Sequence, residues 1–283
     1  MNKIAIMTDT NSGITPSCAE QNGIYLLKMP FTINGEEYLE YGDLSYDKFF
    51  EALETGAEVF TSQPSPSALT DMWDRLLESY ENVIYIPMSS ALSGTYSTAK
   101  ILAADYNNKV FVVDNKRISV SLSCAVFDAI KMAKQGFCCE EIVEKLEKNA
   151  LNASIYITVS TLEYLKKSGR VTSAGAAIGS ILGIKPVLQI NGEKLDAYKK
   201  VRGMKAALDT MLEAADNDLK TFFKNKKFKI FIAYSGKKDT ACQWLETLRE
   251  HYPQYQVEMA VLPISISCHT GPDALGIGII EII

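Results

Sequence analysis

The chain has 283 residues, of which 47% are hydrophobic, so it can bury two cores of ordinary size and is not intrinsically disordered. The formal net charge of -5 excludes a dedicated nucleic-acid-binding protein, which would present a basic face. No run of about 18 apolar residues occurs, which excludes an integral membrane protein.

Short apolar runs alternate with amphipathic stretches in the first half of the chain, a pattern typical of parallel α/β architecture. Ser45 and the pair Ser65-Pro66 are typical of helix starts, because serine caps free N–H groups and proline fits the first turn. The predicted strands cover residues 4–7, 24–33, 83–88 and 110–113. The predicted helices cover residues 46–55, 66–77, 94–106, 125–135 and 140–149.

The alternation restarts near Ala153, which predicts a boundary between two α/β domains, residues 1–153 and 154–283. Asn191-Gly192 is a strong signal for a tight hairpin turn in the second half. The predicted strands there cover residues 155–159, 186–190, 194–198, 228–234, 256–262 and 274–283. The predicted helices cover residues 174–182 and 204–223 and a stretch around Trp244, Leu245 and Leu248.

Three loops at predicted strand–helix junctions carry side chains suited to binding an anion. Ligands of open parallel sheets bind at the carboxyl ends of strands, where such loops collect. The side chains are, in chain order, Thr61 and Ser62; Ser93, Gly94 and Thr95; and His269. Each loop also has a structural interpretation, as a helix cap, a serine-capped turn and a structural histidine in a turn between apolar strands.

Hydroxyls, helix-terminal N–H groups and one imidazole match a carboxylate better than a phosphate. Phosphate sites usually add arginine or lysine, for which Arg170 and Arg202 are the candidates. The loop with Ser93 is not a P-loop, because the Gly-Lys-Ser/Thr core is absent. The two histidines, His251 and His269, are too few for a histidine-rich metal centre, and we predict neither a metal nor a cofactor.

The cysteines and the first residues favour a cytoplasmic protein. The six cysteines form no Cys-x-x-Cys pair, and a chain of this length needs no disulfide to fold, so we expect reduced thiols. Residues 3–7 resemble a buried strand and lack the long apolar segment and the cleavage site of a signal peptide.

Five short motifs occur in the order seen in the DegV family, which the chain resembles from end to end. They are Thr61-Ser62-Gln63-Pro64-Ser65, Leu92-Ser93-Gly94-Thr95, Gly169-Arg170-Val171, Lys185-Pro186-Val187 and His269-Thr270-Gly271-Pro272. The opening Thr8-Asp9-Thr10-Asn11-Ser12 is similar to the Asp-Ser start of that family. Any one of these motifs is weak evidence for the family, but five in the same order are specific to it.

The resemblance implies a DegV-like fold of two α/β domains, with a mostly parallel sheet in the first, a mixed sheet in the second and a ligand site between them. It implies a long-chain fatty acid in a buried apolar tunnel. The residues implied for the carboxylate are Thr61, Ser93 and His269, with Ser62, Gly94 and Thr95 in the same loops.

The resemblance also implies a carrier and not an enzyme acting alone. Some members of the family present the fatty acid to a separate fatty acid kinase, which makes an acyl phosphate from it. Arg170 and Arg202 match the arginines that would support phosphotransfer or contact the kinase. Two alternatives stay open: a serine hydrolase that uses Ser93 and His269 without a Gly-x-Ser-x-Gly elbow, and a carrier of another apolar carboxylate.

Two positions depart from the family pattern. Asp273 stands where the family commonly has glycine, and an inward-pointing carboxylate there would weaken anion binding. Residues 114–117 depart from the usual Asp-Ser or Asp-Thr pair, and we assign them no role. Small and apolar residues of the stretch 174–182 would line the tunnel or pack a helix on the sheet; they are Ala174, Ala176, Ala177, Ile178, Ile181 and Leu182.

Overall fold

The computed structural model describes residues 3–177 and 183–283, and the chain divides into two compact units. Unit 1 comprises Met1–Leu44 and Thr61–Leu151, and unit 2 comprises Ser45–Phe60 and Asn152–Ile283. The segment Ser45–Phe60 therefore belongs with the carboxyl-terminal half of the chain. Two contacts hold it there: the Gly236 N–H donates to the Tyr46 hydroxyl at 3.2 Å, and Lys167 pairs with Glu58 at 3.1 Å.

Seven strands fall in the described part of the chain before residue 150. They are β1 (Ile4–Asp9), β2 (Ile24–Leu27), β3 (Pro30–Ile33), β4 (Glu36–Leu39), β5 (Val59–Thr61, where the chain returns to unit 1), β6 (Asn82–Ile86) and β7 (Val110–Val112). The main sheet of unit 1 has four parallel strands in the order β2-β1-β6-β7. Strands β3 and β4 form a hairpin whose turn, Asn34-Gly35, has φ values of 50° and 85°, as expected for this dipeptide.

Six helices accompany these strands: α1 (Pro16–Asn22), α2 (Tyr46–Glu54, in unit 2), α3 (Pro66–Leu77), α4 (Thr95–Ala103), α5 (Ser119–Lys134) and α6 (Cys139–Lys148). The predicted caps are present, since the Ser65 hydroxyl accepts from the Ala68 N–H at 3.1 Å. The apolar face of α3 packs Trp73 edge-on against Tyr85 of β6, with ring centroids 6.3 Å apart. This packing fixes α3 on the parallel sheet.

Unit 2 carries a six-stranded mixed sheet. Its strands are β8 (Ala153–Thr158), β9 (Ile184–Ile190), β10 (Asp196–Arg202), β11 (Phe228–Tyr234), β12 (Val257–Val261) and β13 (Leu275–Glu281). The order is β10-β9-β8-β13-β11-β12, in which only the pair β11–β12 is parallel among the described residues. Its helices are α7 (Glu163–Ser168), α8 (Ser173–Ala176), α9 (Met204–Lys220), α10 (Lys238–His251) and α11 (Ile264–Thr270). Trp244, Ile232 and Ile277 belong to the core of this unit.

The predicted fold class is confirmed, with a parallel sheet in unit 1 and a mixed sheet in unit 2. Three predictions about elements were wrong. The single extended segment predicted over residues 24–33 is two strands, β2 and β3, which belong to different sheets. His269 lies in α11 and not in a turn, and α5 begins at Ser119 instead of at residue 125. Of the residues predicted to line a tunnel, Ala174 and Ala176 lie in α8 and Ala177 follows it; the others, Ile178, Ile181 and Leu182, lie outside the described residues.

Over residues 3–177 and 183–283, no helix combines the length and the apolar character needed to cross a bilayer. In the same part of the chain, no three His, Cys, Asp or Glu side chains are grouped closely enough to hold a metal ion.

Candidate functional site

The carboxyl ends of β1 and β6 form the topological switch point of the sheet in unit 1. β1 is followed by α1 and pairs with β2 on one side, whereas β6 is followed by α4 and pairs with β7 on the other. The two connections diverge from this point, and open α/β sheets bind ligands in the crevice that results. Residues 87–94, here called the β6 loop, leave the sheet at this edge.

Ser93 and Thr95 form a pair of hydroxyls where the β6 loop meets α4. Their oxygen atoms are 2.9 Å apart, and the Thr95 N–H donates to the Ser93 Oγ at 3.3 Å. The hydrogen bond between the hydroxyls uses one of their two protons, so the other can be donated to an acceptor outside the pair. Gly94 is exposed and offers no side-chain cap to α4, so the N–H groups that follow that of Thr95 in the first turn remain suited to an anion.

The loop that begins at Thr61 lies beside the β6 loop. The Gln63 Oε1 accepts from the Thr98 hydroxyl of α4 at 3.1 Å, and a Cβ built on Gly94 would lie 3.0 Å from the same oxygen. Thr61 is half-buried, and Ser62 is exposed and donates its N–H to the Pro30 carbonyl at 3.4 Å. Unit 1 therefore brings the first two predicted loops together.

His269 occupies the last turn of α11 in unit 2. Burial, followed by the positive charge of Arg170, lowers its pKa to about 4, against an ordinary 6.5. The imidazole is therefore neutral at pH 7 and can donate from one nitrogen while accepting at the other. A neutral imidazole binds a carboxylate through a hydrogen bond and adds no charge of its own.

The turn after His269 is held by hydroxyls at the ends of two strands. The Ser160 hydroxyl, beyond β8, donates to the Pro272 carbonyl at 2.8 Å, and the Ser235 hydroxyl, beyond β11, donates to the Gly271 carbonyl at 2.6 Å. Gly271 has φ 70°, and a Cβ there would lie 2.5 Å from the ring of Tyr164. Glycine is required at this position by both backbone and space.

The two candidate arginines differ in their surroundings. Arg170 is half-buried, donates to the Ser168 carbonyl and acts electrostatically on His269. Arg202 is exposed at the end of β10, where its Nε lies 3.9 Å from a Cβ built on Gly183. Arg170 thus exerts an electrostatic effect on the histidine, and no such effect of Arg202 is seen among the described residues.

Two polar groups that support the β6 loop were not predicted from the sequence. Asp9, the last residue of β1, is buried and accepts from the Met88 N–H at 3.2 Å. Asp114 follows β7 and accepts from both the N–H and the hydroxyl of Ser90, at 3.2 Å and 2.6 Å. The available signal was an aspartate at the end of each of two apolar runs: Asp9 is the last residue of β1, and Asp114 lies two residues after β7.

Asp273, the departure from the family pattern, is exposed and has φ 57°. Its N–H donates to the Ser235 carbonyl at 3.1 Å. Glycine adopts this left-handed conformation without strain, and aspartate is among the residues that tolerate it best. Asp273 therefore adopts the backbone conformation that this position needs. Its side chain is exposed, so the carboxylate does not enter the interior.

Comparison with known proteins gives matches over nearly the whole chain. A family model described as an uncharacterised protein of the DegV family matches residues 3–281. Protein DegV of Bacillus subtilis is 28% identical over 277 residues, which cover 97% of this chain and 98% of that protein. A DegV domain-containing protein of Clostridium perfringens is 30% identical over 285 residues, which cover 98% of this chain and 97% of that protein.

Solved structures agree with these matches. A DegV family protein of Thermus thermophilus, described by its fatty acid binding, has a TM-score of 0.89 at 26% identity and covers 99% of this chain and 100% of its own. A fatty acid binding DegV family protein of Streptococcus agalactiae has a TM-score of 0.89 at 27% identity, with 99% of both chains covered. DegV of Bacillus subtilis, a fatty acid binding protein, has a TM-score of 0.88 at 27% identity, covering 99% of this chain and 100% of that one.

Proposed function

The chain belongs to the DegV family, and on this premise we propose that it binds a long-chain fatty acid whose carboxylate is held by Thr61, Ser93 and His269. Ser62, Gly94 and Thr95 belong to the same loops and would shape the site. The observation that carries the proposal is the chemistry of these groups: hydroxyls, helix-terminal N–H groups and an imidazole that is neutral because its pKa is about 4. Such a set suits a monoanion that must be desolvated.

The energetics favour a long apolar chain on this carboxylate. Each buried methylene contributes about 0.8 kcal/mol, so a chain of about fifteen gives on the order of 12 kcal/mol before the cost of ordering the ligand. A buried carboxylate without hydrogen bonds would protonate instead, which is why a small polar cluster is needed at one end. The same reasoning applies to other apolar carboxylates, and only the identity of the bound lipid separates them.

The hydrolase alternative is weaker on two counts. The Ser93 hydroxyl is hydrogen-bonded to that of Thr95, and the sequence around Ser93 lacks the Gly-x-Ser-x-Gly elbow. A histidine whose pKa is about 4 is also a poor general base at neutral pH. These two facts favour a carrier over a catalyst.

The first experiment is mass spectrometry of an organic extract from the purified, folded protein. We expect one fatty acid for each chain, either copurified or taken up from a fatty acid mixture. An empty extract after incubation with that mixture would contradict the proposal, and a different apolar acid would identify the second kind of carrier.

The residue assignment is tested with two variants and their matched controls. Ser93→Ala and His269→Ala should each lower fatty acid retention while the protein stays folded. Ser97→Ala, an exposed serine two residues into α4, and His251→Ala, the exposed histidine that pairs with Asp216, should retain the ligand as the wild type does. Normal retention with both Ser93 and His269 replaced would refute the assignment.

We further propose that the bound fatty acid is presented to a separate fatty acid kinase, with Arg170 supporting phosphotransfer or kinase contact and Arg202 a weaker candidate. Arg170→Gln should leave retention nearly unchanged and slow acyl phosphate formation, measured as ADP release in a mixture of the loaded protein, ATP and a fatty acid kinase. Unchanged ADP release would remove this role from Arg170.

A further inference from the structure

The β6 loop is held along its length by the segment that follows β7. The Asn115 amide donates to the Pro87 carbonyl at 3.2 Å, and the Ser89 N–H donates to the Arg117 carbonyl at 2.9 Å. β6 and β7 are neighbouring parallel strands, so their loops leave the sheet at the same edge. The segment 114–117, which departs from the family pattern, therefore serves as the support on which the β6 loop rests.

Ser90 is the point where this support is strongest. Its N–H and hydroxyl both donate to Asp114, at 3.2 Å and 2.6 Å, and the Lys116 ammonium donates to the Ser90 Oγ at 2.9 Å. Lys116 also pairs with Asp114 at 2.6 Å. The Ser90 hydroxyl thus has its proton and a lone pair engaged by two charged groups, which fixes its position.

The backbone of Lys116 adopts an unfavourable conformation beside this contact. Its φ of 55° is unfavourable for a lysine and is maintained only where surrounding contacts determine it. Asp114 side-chain exposure is 15%, so its carboxylate is largely shielded from solvent beside the ammonium. A strained backbone beside an ion pair whose carboxylate is largely buried indicates a contact that the fold is built to keep.

Hydrogen bonds within one turn couple the position of Ser90 to that of Ser93. The N–H groups of Leu92 and Ser93 both donate to the Ser89 carbonyl, at 3.0 Å and 3.1 Å, so residues 89–93 form one closed turn. A turn of this kind moves as a unit, because displacing one end breaks its internal hydrogen bonds. Any shift at Ser90 therefore carries the Ser93 hydroxyl with it.

A direct chemical role for Ser90 is disfavoured by the charges around it. Burial would raise the pKa of Asp114, but the hydrogen bonds from Lys116 and Ser90 outweigh burial and lower it. The Ser90 hydroxyl donates its proton to this carboxylate, whose lowered pKa makes it a weak base for activating a serine. The three groups form a structural clamp and not a nucleophile with its base.

We propose that Asp114 and Lys116 are positioning residues, which set the affinity for a carboxylate by holding the turn 89–93 so that the Ser93 hydroxyl and the first N–H groups of α4 converge on it. The inference rests on the proposed function, since it presupposes that Ser93 binds the ligand. It assigns a role to the charged segment 114–117 that goes beyond folding.

The test compares two probes of equal chain length, oleic acid and oleyl alcohol, binding to the delipidated full-length protein. Only the acid needs the carboxylate site, so the ratio of the two affinities reports that site alone. Asp114→Asn and Lys116→Gln should each lower the affinity for oleic acid about tenfold, the equivalent of one charge-assisted hydrogen bond, and leave oleyl alcohol unchanged. Lys116→Arg should keep the acid affinity close to that of the wild type.

The matched control is Lys226→Gln, which breaks an ion pair with Glu281 of comparable exposure, 27% and 19% against 39% and 15% for Lys116 and Asp114. That variant should leave both affinities unchanged. If Asp114→Asn does not fold, Ser90→Ala gives the same test, because it removes the hydroxyl that both charges hold.

Two results overturn the inference while leaving the proposed function intact, provided that Ser93→Ala lowers the ratio. One is that Asp114→Asn and Lys116→Gln fold and keep the wild-type ratio of the affinities for oleic acid and oleyl alcohol. The other is a parallel loss of both affinities, which is the mark of a merely structural contact. By contrast, a wild-type protein that does not distinguish oleic acid from oleyl alcohol would refute the carboxylate site itself.

Discussion

The Asp9 carboxylate accepts a hydrogen bond from the backbone N–H of Met88 at 3.2 Å, which joins the end of β1 to the start of the β6 loop. The same carboxyl accepts from the Asn11 N–H at 3.0 Å and is fully buried. Burial raises its pKa to about 6, and the hydrogen bonds from Met88 and Asn11 offset only part of that rise. The group that organises this edge of the sheet therefore titrates just below neutral pH.

The raised pKa of Asp9 predicts a loss of stability as the pH rises. Between 3.8, its ordinary pKa, and about 6, the unfolded chain has released a proton that the folded protein still holds. The stabilising contribution is complete below 3.8 and is lost as the pH passes through about 6. The loss between about pH 4 and pH 7 is about 2 kcal/mol of the free energy of unfolding.

This contribution is measured by urea unfolding of the wild type and of Asp9→Asn across that pH range. All other carboxyl groups titrate in both proteins, so the difference between their unfolding free energies isolates Asp9. We expect Asp9→Asn to become more stable relative to the wild type as the pH rises. A difference independent of pH would show that Asp9 titrates at the same pH in the folded and unfolded states.

The depressed pKa of His269 is tested by nuclear magnetic resonance titration of its ring protons, assigned by comparison with His269→Ala. The resonance should move near pH 4, because burial and Arg170 both disfavour the imidazolium. Arg170→Gln should raise the pKa of His269 but leave it below the ordinary 6.5, since burial remains the larger cause. An unchanged pKa in that variant would contradict the electrostatic contact.

Gly271→Ala should destabilise unit 2 through both backbone and space. Gly271 has φ 70° and ψ -170°, a region that is almost restricted to glycine, and a Cβ would lie 2.5 Å from the Tyr164 ring. Gly203 is a matched control, because it has φ 84° and ψ 160° and nothing within 4 Å of its Cβ position. Gly203→Ala should cost about 2 kcal/mol, and Gly271→Ala about 1 to 3 kcal/mol more.

Chemical denaturation of the two alanine variants gives this comparison directly. Adding Tyr164→Ala to the Gly271 variant should remove the steric part of the difference and leave the backbone part. Equal costs at the two glycines would mean that the ring of Tyr164 moves aside freely.

Local signals in the sequence predicted those elements whose ends are determined locally. Ser45 and Ser65 begin helices because a hydroxyl and the following N–H groups are neighbours in the chain, and Asn34-Gly35 makes a turn for an equally local reason. The start of α5 was missed because Ser119 begins it with φ 52° and without the glycine or proline that usually marks such a change. His269 was placed in a turn because the alternating Ile and Ser of 264–267 carry no helical period.

Relationships between distant residues were not predictable from local patterns. Nothing in Ser45–Phe60 indicates that it belongs to unit 2, since the contact that shows this joins Tyr46 to Gly236. The hydroxyls and the histidine of the candidate site were identified from their loops and from the resemblance. The carboxylates that hold the β6 loop, Asp9 and Asp114, act across strands and become visible only when the strand order is known.

Gly94→Ala tests how closely the ligand approaches the β6 loop. Gly94 has φ -70° and ψ -9°, which alanine adopts without strain, so the folded protein should lose at most about 1 kcal/mol of stability. The added methyl group would stand 3.0 Å from the Gln63 Oε1, on the exposed side of the first turn of α4. If the carboxylate approaches the N–H groups of that turn, the methyl group obstructs it, and retention of oleic acid should fall.

Gln63→Ala separates the two ways in which this methyl group could act. Alone, it should retain oleic acid as the wild type does, because its amide contacts Thr98 and is not one of the proposed ligand groups. Combined with Gly94→Ala, it removes the crowding but not the methyl group, so retention should stay low. Full recovery in the double variant would mean that Gly94 matters for the packing of the two loops and not for the approach of the ligand.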